Sequence, residues 1–286
     1  MIYGGVHMKI DLKQDKSLKA TILNNTRTAI LTGLLMFSPT SSGMNTQNFD
    51  LVKLPNNKPE INKIYGSQGK YDSNGLDTSS KTPIASILTY VLEGFEDPSQ
   101  KLNCEKPHVP DKYSGITISH GLDLKTKEPD DIKKLLIKSD LSPKVAEQII
   151  KGIGLKGKAA RKYISTTMVE LDDGSKVLYK DLKFDSDTQR KIFNNAIVAY
   201  QNKTRQLFTL NGIDPNIITD QGKRDKILEL ATDFIYHGWK FPEGIAEGFK
   251  DLIEKGDKTK LMQELAKPSN YTERNKARLK FLEKLD

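Results

Sequence analysis

The sequence predicts an α+β fold that is mainly α: one helical domain with a small β-hairpin near its start, preceded by a poorly ordered amino-terminal arm. Three observations carry this. Apolar residues recur at helical spacing from Ile84 onward. Ile116-Thr117-Ile118, bracketed by Gly115 and Gly121, breaks that pattern with a short strand. Residues 44–81 are rich in Asn, Ser, Gly and Lys and show little apolar periodicity. The expected division is therefore an arm over 1–81 and a domain over 82–286.

Within the arm, Lys9, Lys13, Lys16, Lys19 and Arg27 precede the apolar run Ala29–Phe37, and small residues follow from Ser38 to Gly43. That is the order of a secretory signal; a short amphipathic or buried helix is the alternative. Residues 44–81 cannot bury enough surface to offset their ordering entropy and are expected to be a linker. A small strand-rich module around Phe49–Ile64 is the competing expectation.

The domain opens with Thr82-Pro83, an N-cap followed by proline at the first helical position. Ile84, Ile87, Leu88, Val91 and Leu92 then form an apolar stripe, and Gly94 ends the helix. A proline-containing loop leads to the hairpin. Further helices are expected over Pro129–Lys138, Ser142–Lys151, Lys156–Ser165, Asp187–Leu210, Arg224–Tyr236, Gly244–Lys255, Lys258–Ala266 and Thr272–Leu285. Ile192, Ala196, Ala199 and Phe208 are the expected buried face of the longest. Leu171–Val177 predicts a second hairpin inserted between helices.

Composition excludes several classes. Mean hydropathy is −0.54, and no apolar run approaches the roughly 18 residues of a membrane helix. The single Cys104 rules out a disulfide framework or a cysteine zinc cluster, and the four His lack metal-ligand spacing. No phosphate-binding GxxxxGK[ST] loop is present. The net charge of +8 attracts anions but is spread evenly. The basic clusters Lys156–Lys162 and Arg274–Lys280 lack interleaved aromatics, so they predict solvated faces rather than a nucleic-acid groove.

The chemistry concentrates in Glu93-Gly94 and Ser114–Asp123. Glu93 ends an apolar helix, where the helix dipole and nearby apolar surface disfavour the ionised carboxylate. A carboxylic acid held protonated near neutral pH is what a general acid needs. The strand then presents Thr117 and, beyond a glycine turn, Asp123. Paired acids of this kind cleave glycosidic bonds. Glu96 and Asp97 are competing second carboxylates. Ser114, His120, Tyr236 and His237 are the candidate substrate-binding residues, with Tyr113 a further loop residue that touches substrate. For His120 the alternative is a packing role, and for Tyr236, His237 and Trp239 it is core packing in place of sugar stacking. Cys104 has no general base nearby and is not expected to be a nucleophile.

Glu93-Gly94 followed by Ser114-Gly-Ile-Thr-Ile-Ser-His-Gly-Leu-Asp123 resembles the lysozyme-like muramidases of phage and bacteriocin type, above all the pesticin-type branch. Asp233-Phe-Ile-Tyr-His-Gly238 and Arg274-Asn-Lys-Ala-Arg278 resemble that family's later helices. Ser119 stands where the motif usually has glycine, and Tyr236-His237 where an asparagine is usual. The resemblance implies a lysozyme-like domain that hydrolyses the β-1,4 bond between N-acetylmuramic acid and N-acetylglucosamine with inversion. Glu93 would be the general acid, Asp123 the second carboxylate, and Thr117 would position the water. It implies no metal and no cofactor, a monomer, and peptidoglycan glycan strands as partner. The expected setting is an antibacterial toxin, effector or lysin, secreted or delivered to the periplasm or cell wall, with an immunity protein or delivery machinery as further partners. The competing functions are a lytic transglycosylase, an inactive peptidoglycan-binding module and a nucleic-acid-binding helical protein.

Overall fold

The computed structural model describes residues 76–96, 104–238, 240–242, 244–268 and 272–285. The expected targeting segment, the strand module and residues 44–75 of the expected linker lie outside the described residues, as do Asp97 and Trp239. The described elements are α1 (Ile87–Glu93), β1 (Thr117–Ile118), β2 (Leu122–Asp123), α2 (Pro129–Lys138), α3 (Pro143–Ile150) and α4 (Gly157–Thr166). They continue with β3 (Met168–Glu170), β4 (Lys176–Leu178), α5 (Ser186–Leu210), α6 (Gln221–Gly238), α7 (Ile245–Lys255), α8 (Thr259–Ala266) and α9 (Thr272–Glu283). The fold is mainly helical, with two small two-stranded antiparallel sheets, β1-β2 and β3-β4.

Two apolar cores are built at opposite ends of α5. Ile116, Ile118, Leu122 and Leu124 of the first hairpin pack with Leu136 of α2, Ile149 of α3, Ala160 of α4 and Ile192 of α5. Leu88 of α1 packs with Phe208 of α5, Leu230 of α6, Phe249 of α7, Leu261 of α8 and Leu282 of α9. Each fully buried side chain of this size stabilises the fold by about 1.5–3 kcal/mol. A third cluster, Ile84, Tyr90, Phe193, Ile197, Tyr200, Ile235 and Tyr236, lies between α5 and the last turn of α6. As α5 has 25 residues, it runs about 37 Å and can serve both cores. Its buried face is Ile192, Phe193, Ala196, Ile197, Tyr200, Thr204 and Phe208, whereas Ala199, expected to be buried, is exposed. Leucine, phenylalanine and tyrosine on both sides of α6 make it the central helix, buried continuously from Leu230 to Tyr236. The second hairpin packs on α3, where Gln148 exchanges two hydrogen bonds with the Glu170 backbone (both 2.8 Å).

Two expected boundaries shift. α1 begins at Ile87, and the Thr82-Pro83 cap is not used. Asn194 of α5 holds the Pro83 carbonyl and the Ala85 amide (both 2.8 Å), which keeps this segment extended. The Leu88 amide of the first turn donates to Glu229 Oε1 of α6 (2.8 Å), a cap supplied from across the fold. Of the expected apolar stripe, Ile84 and Leu88 are buried but Ile87 is exposed, and Thr89 and Tyr90, outside the stripe, are buried.

The chain also joins the domain before residue 82. The Asp77 amide donates to Glu96 Oε2 (2.5 Å), its carbonyl accepts from Arg190 Nη2 (2.9 Å), and its carboxylate accepts from Ser186 Oγ (3.0 Å). Ser80 Oγ donates to Asp187 (2.7 Å). Arg190 completes the group by pairing with both oxygens of the fully buried Glu96 (2.6 and 2.9 Å). Glu96 is thus committed to holding this strap and is not the second carboxylate. A chain starting at Thr82 is expected to be about 2–4 kcal/mol less stable in urea than one starting at Leu76, because hydrogen bonds to buried charged groups are lost. Equal midpoints and slopes for the two chains would show that the strap contributes nothing.

Candidate functional site

Glu93 is the last residue of α1, with Gly94 in the following position. Its carboxylate is largely buried, and Oε1 accepts from Arg274 Nη1 of α9 (2.8 Å). Burial pushes the Glu93 pKa up and outweighs the opposing pull of Arg274. The reason is visible in the geometry of the guanidinium. Arg274 turns Nε and Nη2 toward the two carboxylate oxygens of Asp233 (3.1 and 2.5 Å), leaving one nitrogen for Glu93.

Asp233 lies on α6 with its side chain fully buried, and Arg278 also donates to it (2.7 Å). The two arginines hold its carboxyl below the ordinary range despite burial. Arg278 further packs its guanidinium 3.8 Å from the Phe234 ring centroid. Arg274 and Arg278 fall one helical turn apart, so both reach the same carboxylate. The solvated face expected over Arg274–Lys280 is therefore corrected at these two residues: they are buried ion-pair partners.

The first hairpin carries the other candidate residues. Thr117 and Asp123 are cross-strand partners, which places their side chains on one face of the ribbon. Thr117 is 5% exposed. Asp123 accepts from the Gly115 amide (3.2 and 3.1 Å) and the Lys125 amide (2.7 Å), so backbone donors fix its carboxylate. A side chain at Gly115 would collide with Asp123 Oδ1. Two left-handed residues make the turn, Ser119 (φ 48) and Gly121 (φ 81). Ser119 offsets the strain of that conformation by donating its hydroxyl to the Gln189 carbonyl (2.8 Å), which is how a serine occupies this position.

Gly121 brings this hairpin against Glu93. A Cβ there would collide with Glu93 Oε2 and press on the Tyr236 ring. The hairpin turn can lie directly on the Glu93 carboxylate only because this residue has no side chain. Gly121→Ala is expected to lower stability by about 1–3 kcal/mol through the collision with Glu93 and the positive φ. The urea midpoint checks this, and a wild-type value would contradict the packing described.

His120 and Tyr236, candidate substrate-binding residues, are core residues instead. His120 is 1% exposed, stacks on Tyr90 (centroids 3.4 Å apart), and directs Nδ1 to the Tyr90 carbonyl (2.9 Å). Burial holds its pKa down to about 3, so the ring is neutral. Tyr236 donates its hydroxyl to the His120 carbonyl (2.6 Å) and packs against Tyr200 (4.5 Å). The inward turn of His120 follows from the left-handed residues on either side of it. His237 is exposed as a residue, with Nδ1 3.3 Å from Arg274 Nη1, and partial desolvation of its ring together with the two arginines lowers its pKa to about 4. Ser114 is half-buried, its amide and hydroxyl both donating to Asp111 Oδ1 (2.7 and 2.9 Å). Cys104 is buried, which pushes its thiol up to about 12 and keeps it unreactive.

Two residues missed in the sequence join this site. Tyr200 of α5 feels the charges of both Glu93 and Asp123, and with burial these raise its pKa to about 12. Lys127 donates to the Tyr200 hydroxyl (3.2 Å), and burial lowers its pKa against the pull of Asp123. Chemically, the arrangement offers one largely buried carboxyl whose pKa is raised, beside the Gly121 turn, and one carboxyl group fixed by backbone amides in the same hairpin.

Residues 86–281 match a family model described as a domain of unknown function, DUF8812. The chain belongs to the DUF8812 family. The match includes Glu93, Thr117, Asp123, Asp233, Arg274 and Arg278 and begins after the 76–82 strap. No curated protein matches the chain. The DUF8812 span thus contains the candidate residues of α1, the first hairpin, α6 and α9.

Proposed function

We propose that this DUF8812 protein is a peptidoglycan hydrolase with a lysozyme-like domain, cleaving the β-1,4 bond between N-acetylmuramic acid and N-acetylglucosamine. The observation that supports this reading is the seating of the Gly121 turn on the Glu93 carboxyl, whose pKa burial raises, in the same hairpin that carries Thr117 and Asp123 as cross-strand partners. The motif resemblance supplies the substrate class.

In the proposed reaction Glu93 gives its proton to the glycosidic oxygen as the bond from that oxygen to the anomeric carbon breaks. Asp123 takes a proton from the attacking water, whose oxygen bonds the anomeric carbon from the opposite face. The Thr117 hydroxyl orients that water. Arg274 keeps Glu93 aimed without taking its proton away, because Asp233 holds most of the guanidinium. Such an enzyme acts in the cell wall and reaches it by export or delivery. No described helix is long and apolar enough to cross a membrane.

Asp123→Asn is expected to lower kcat/KM on purified peptidoglycan at least about 100-fold with the fold unchanged. A loss under about threefold, with anhydro-muramic ends among the products, would move the assignment to a lytic transglycosylase.

A further inference from the structure

The hairpin that carries Asp123 continues into an exposed surface that the reaction itself does not use. Tyr113 is 66% exposed, the most open aromatic ring among the described residues. Lys112 Nζ lies 4.9 Å from its ring centroid, and Lys125 Nζ donates to its carbonyl (3.0 Å). The same Lys125 provides the amide that holds Asp123, so the surface and the carboxylate are two residues apart in one rigid turn. The loop is braced from behind, where the Gly157 amide at the start of α4 donates to the Ser114 carbonyl (3.0 Å). Lys156 and Lys158, on either side of that glycine, are exposed.

Exposed lysines outnumber acids on this surface: Lys112, Lys156 and Lys158, with the Lys125 ammonium beside them, stand against Asp111. Lys112 and Lys125 form no ion pair among the described residues, although Asp111, whose Oδ1 accepts from Tyr113 and Ser114 donors, feels the charge of Lys125. An exposed aromatic face suits a sugar ring, and ammonium groups in excess of acid beside it suit carboxylates carried on that sugar.

We propose that Tyr113, Lys112 and Lys125 form a binding subsite beside Asp123, stacking a sugar on the tyrosine and pairing with the carboxylates of its peptide substituents. This rests on the glycan-hydrolase reading and adds to it a preference for peptide-bearing, anionic strands over neutral ones.

The test uses the full chain as Glu93→Gln, a non-cleaving probe, sedimented with intact peptidoglycan sacculi, with sacculi stripped of stem peptides by an amidase, and with chitin. Adding Lys112→Gln and Lys125→Gln is expected to weaken binding to intact sacculi about fivefold to tenfold at low salt and to change binding to stripped sacculi by less than about twofold. Adding Tyr113→Ala is expected to weaken binding to all three about fivefold. Undiminished binding of these variants to intact sacculi would overturn the subsite, as would tighter binding to duplex DNA that the lysine substitutions abolish. Turnover of the same sacculi by the unsubstituted chain is measured in parallel. If turnover is absent while the binding pattern holds, the hydrolase reading fails and the subsite stands.

Discussion

Glu93→Gln is expected to lower turnover of peptidoglycan at least about 1,000-fold while leaving the fold intact. The substitution keeps shape and an oxygen for Arg274 but removes the only proton the site can deliver from this residue. Fold should survive because Arg274 retains Asp233 as its principal partner. The residual protein should still sediment with peptidoglycan. A pH profile gives a second check. Glu93 must be protonated to act, so activity falls as pH rises through its pKa, which burial places above the ordinary carboxylate value. An activity that instead rose on the alkaline side would remove Glu93 from the acid role.

The largest stability effect is expected at Asp233, a residue that touches no substrate in the proposed reaction. Asp233→Ala leaves Arg274 and Arg278 buried beside each other without their shared carboxylate. Removing one partner of a buried ion group costs about 3–5 kcal/mol, a fall in Tm of about 10 °C in a domain of this size. Activity should fall as well, since Arg274 would turn fully to Glu93 and pull its pKa down. The linkage sign follows from the depressed pKa of Asp233. Its contribution is fully present above the ordinary Asp pKa and is lost as pH falls through the lower folded-state value. The wild-type advantage over Asp233→Ala should therefore persist across neutral pH and shrink only in strong acid. A Tm within about 2 °C of wild type at pH 7 would contradict this network.

Local pattern made some elements legible and left others hidden. The first hairpin was readable because glycines bracket a β-branched pair, and α2 and α3 because proline opens each near an acidic or serine cap. The start of α1 was not readable, since its cap comes from Glu229 and its extended approach from Asn194, more than 100 residues away. The same holds for the strap at Asp77, whose composition matches the arm but whose backbone completes the Glu96–Arg190 pair. Within the site, sequence singled out Thr117 and Asp123, which the fold pairs across one hairpin, and Glu93, on which the Gly121 turn of that hairpin lies. It left His120 and Tyr236 open between substrate contact and packing, because side-chain direction across a left-handed turn depends on the partner it stacks against, and the fold buries both. The arginine network left one overlooked signal: Asp233 sits inside Leu230-Ala-Thr-Asp-Phe-Ile-Tyr236, and a charge in a buried run demands a partner.

The most direct test is mass spectrometry of the products released from purified peptidoglycan by the wild-type chain and by Glu93→Gln. Reducing N-acetylmuramic acid ends formed by the wild type and absent with Glu93→Gln are the predicted result. Products of equal yield from both proteins, or none from a correctly folded wild type, would contradict the assignment of this site to glycan hydrolysis.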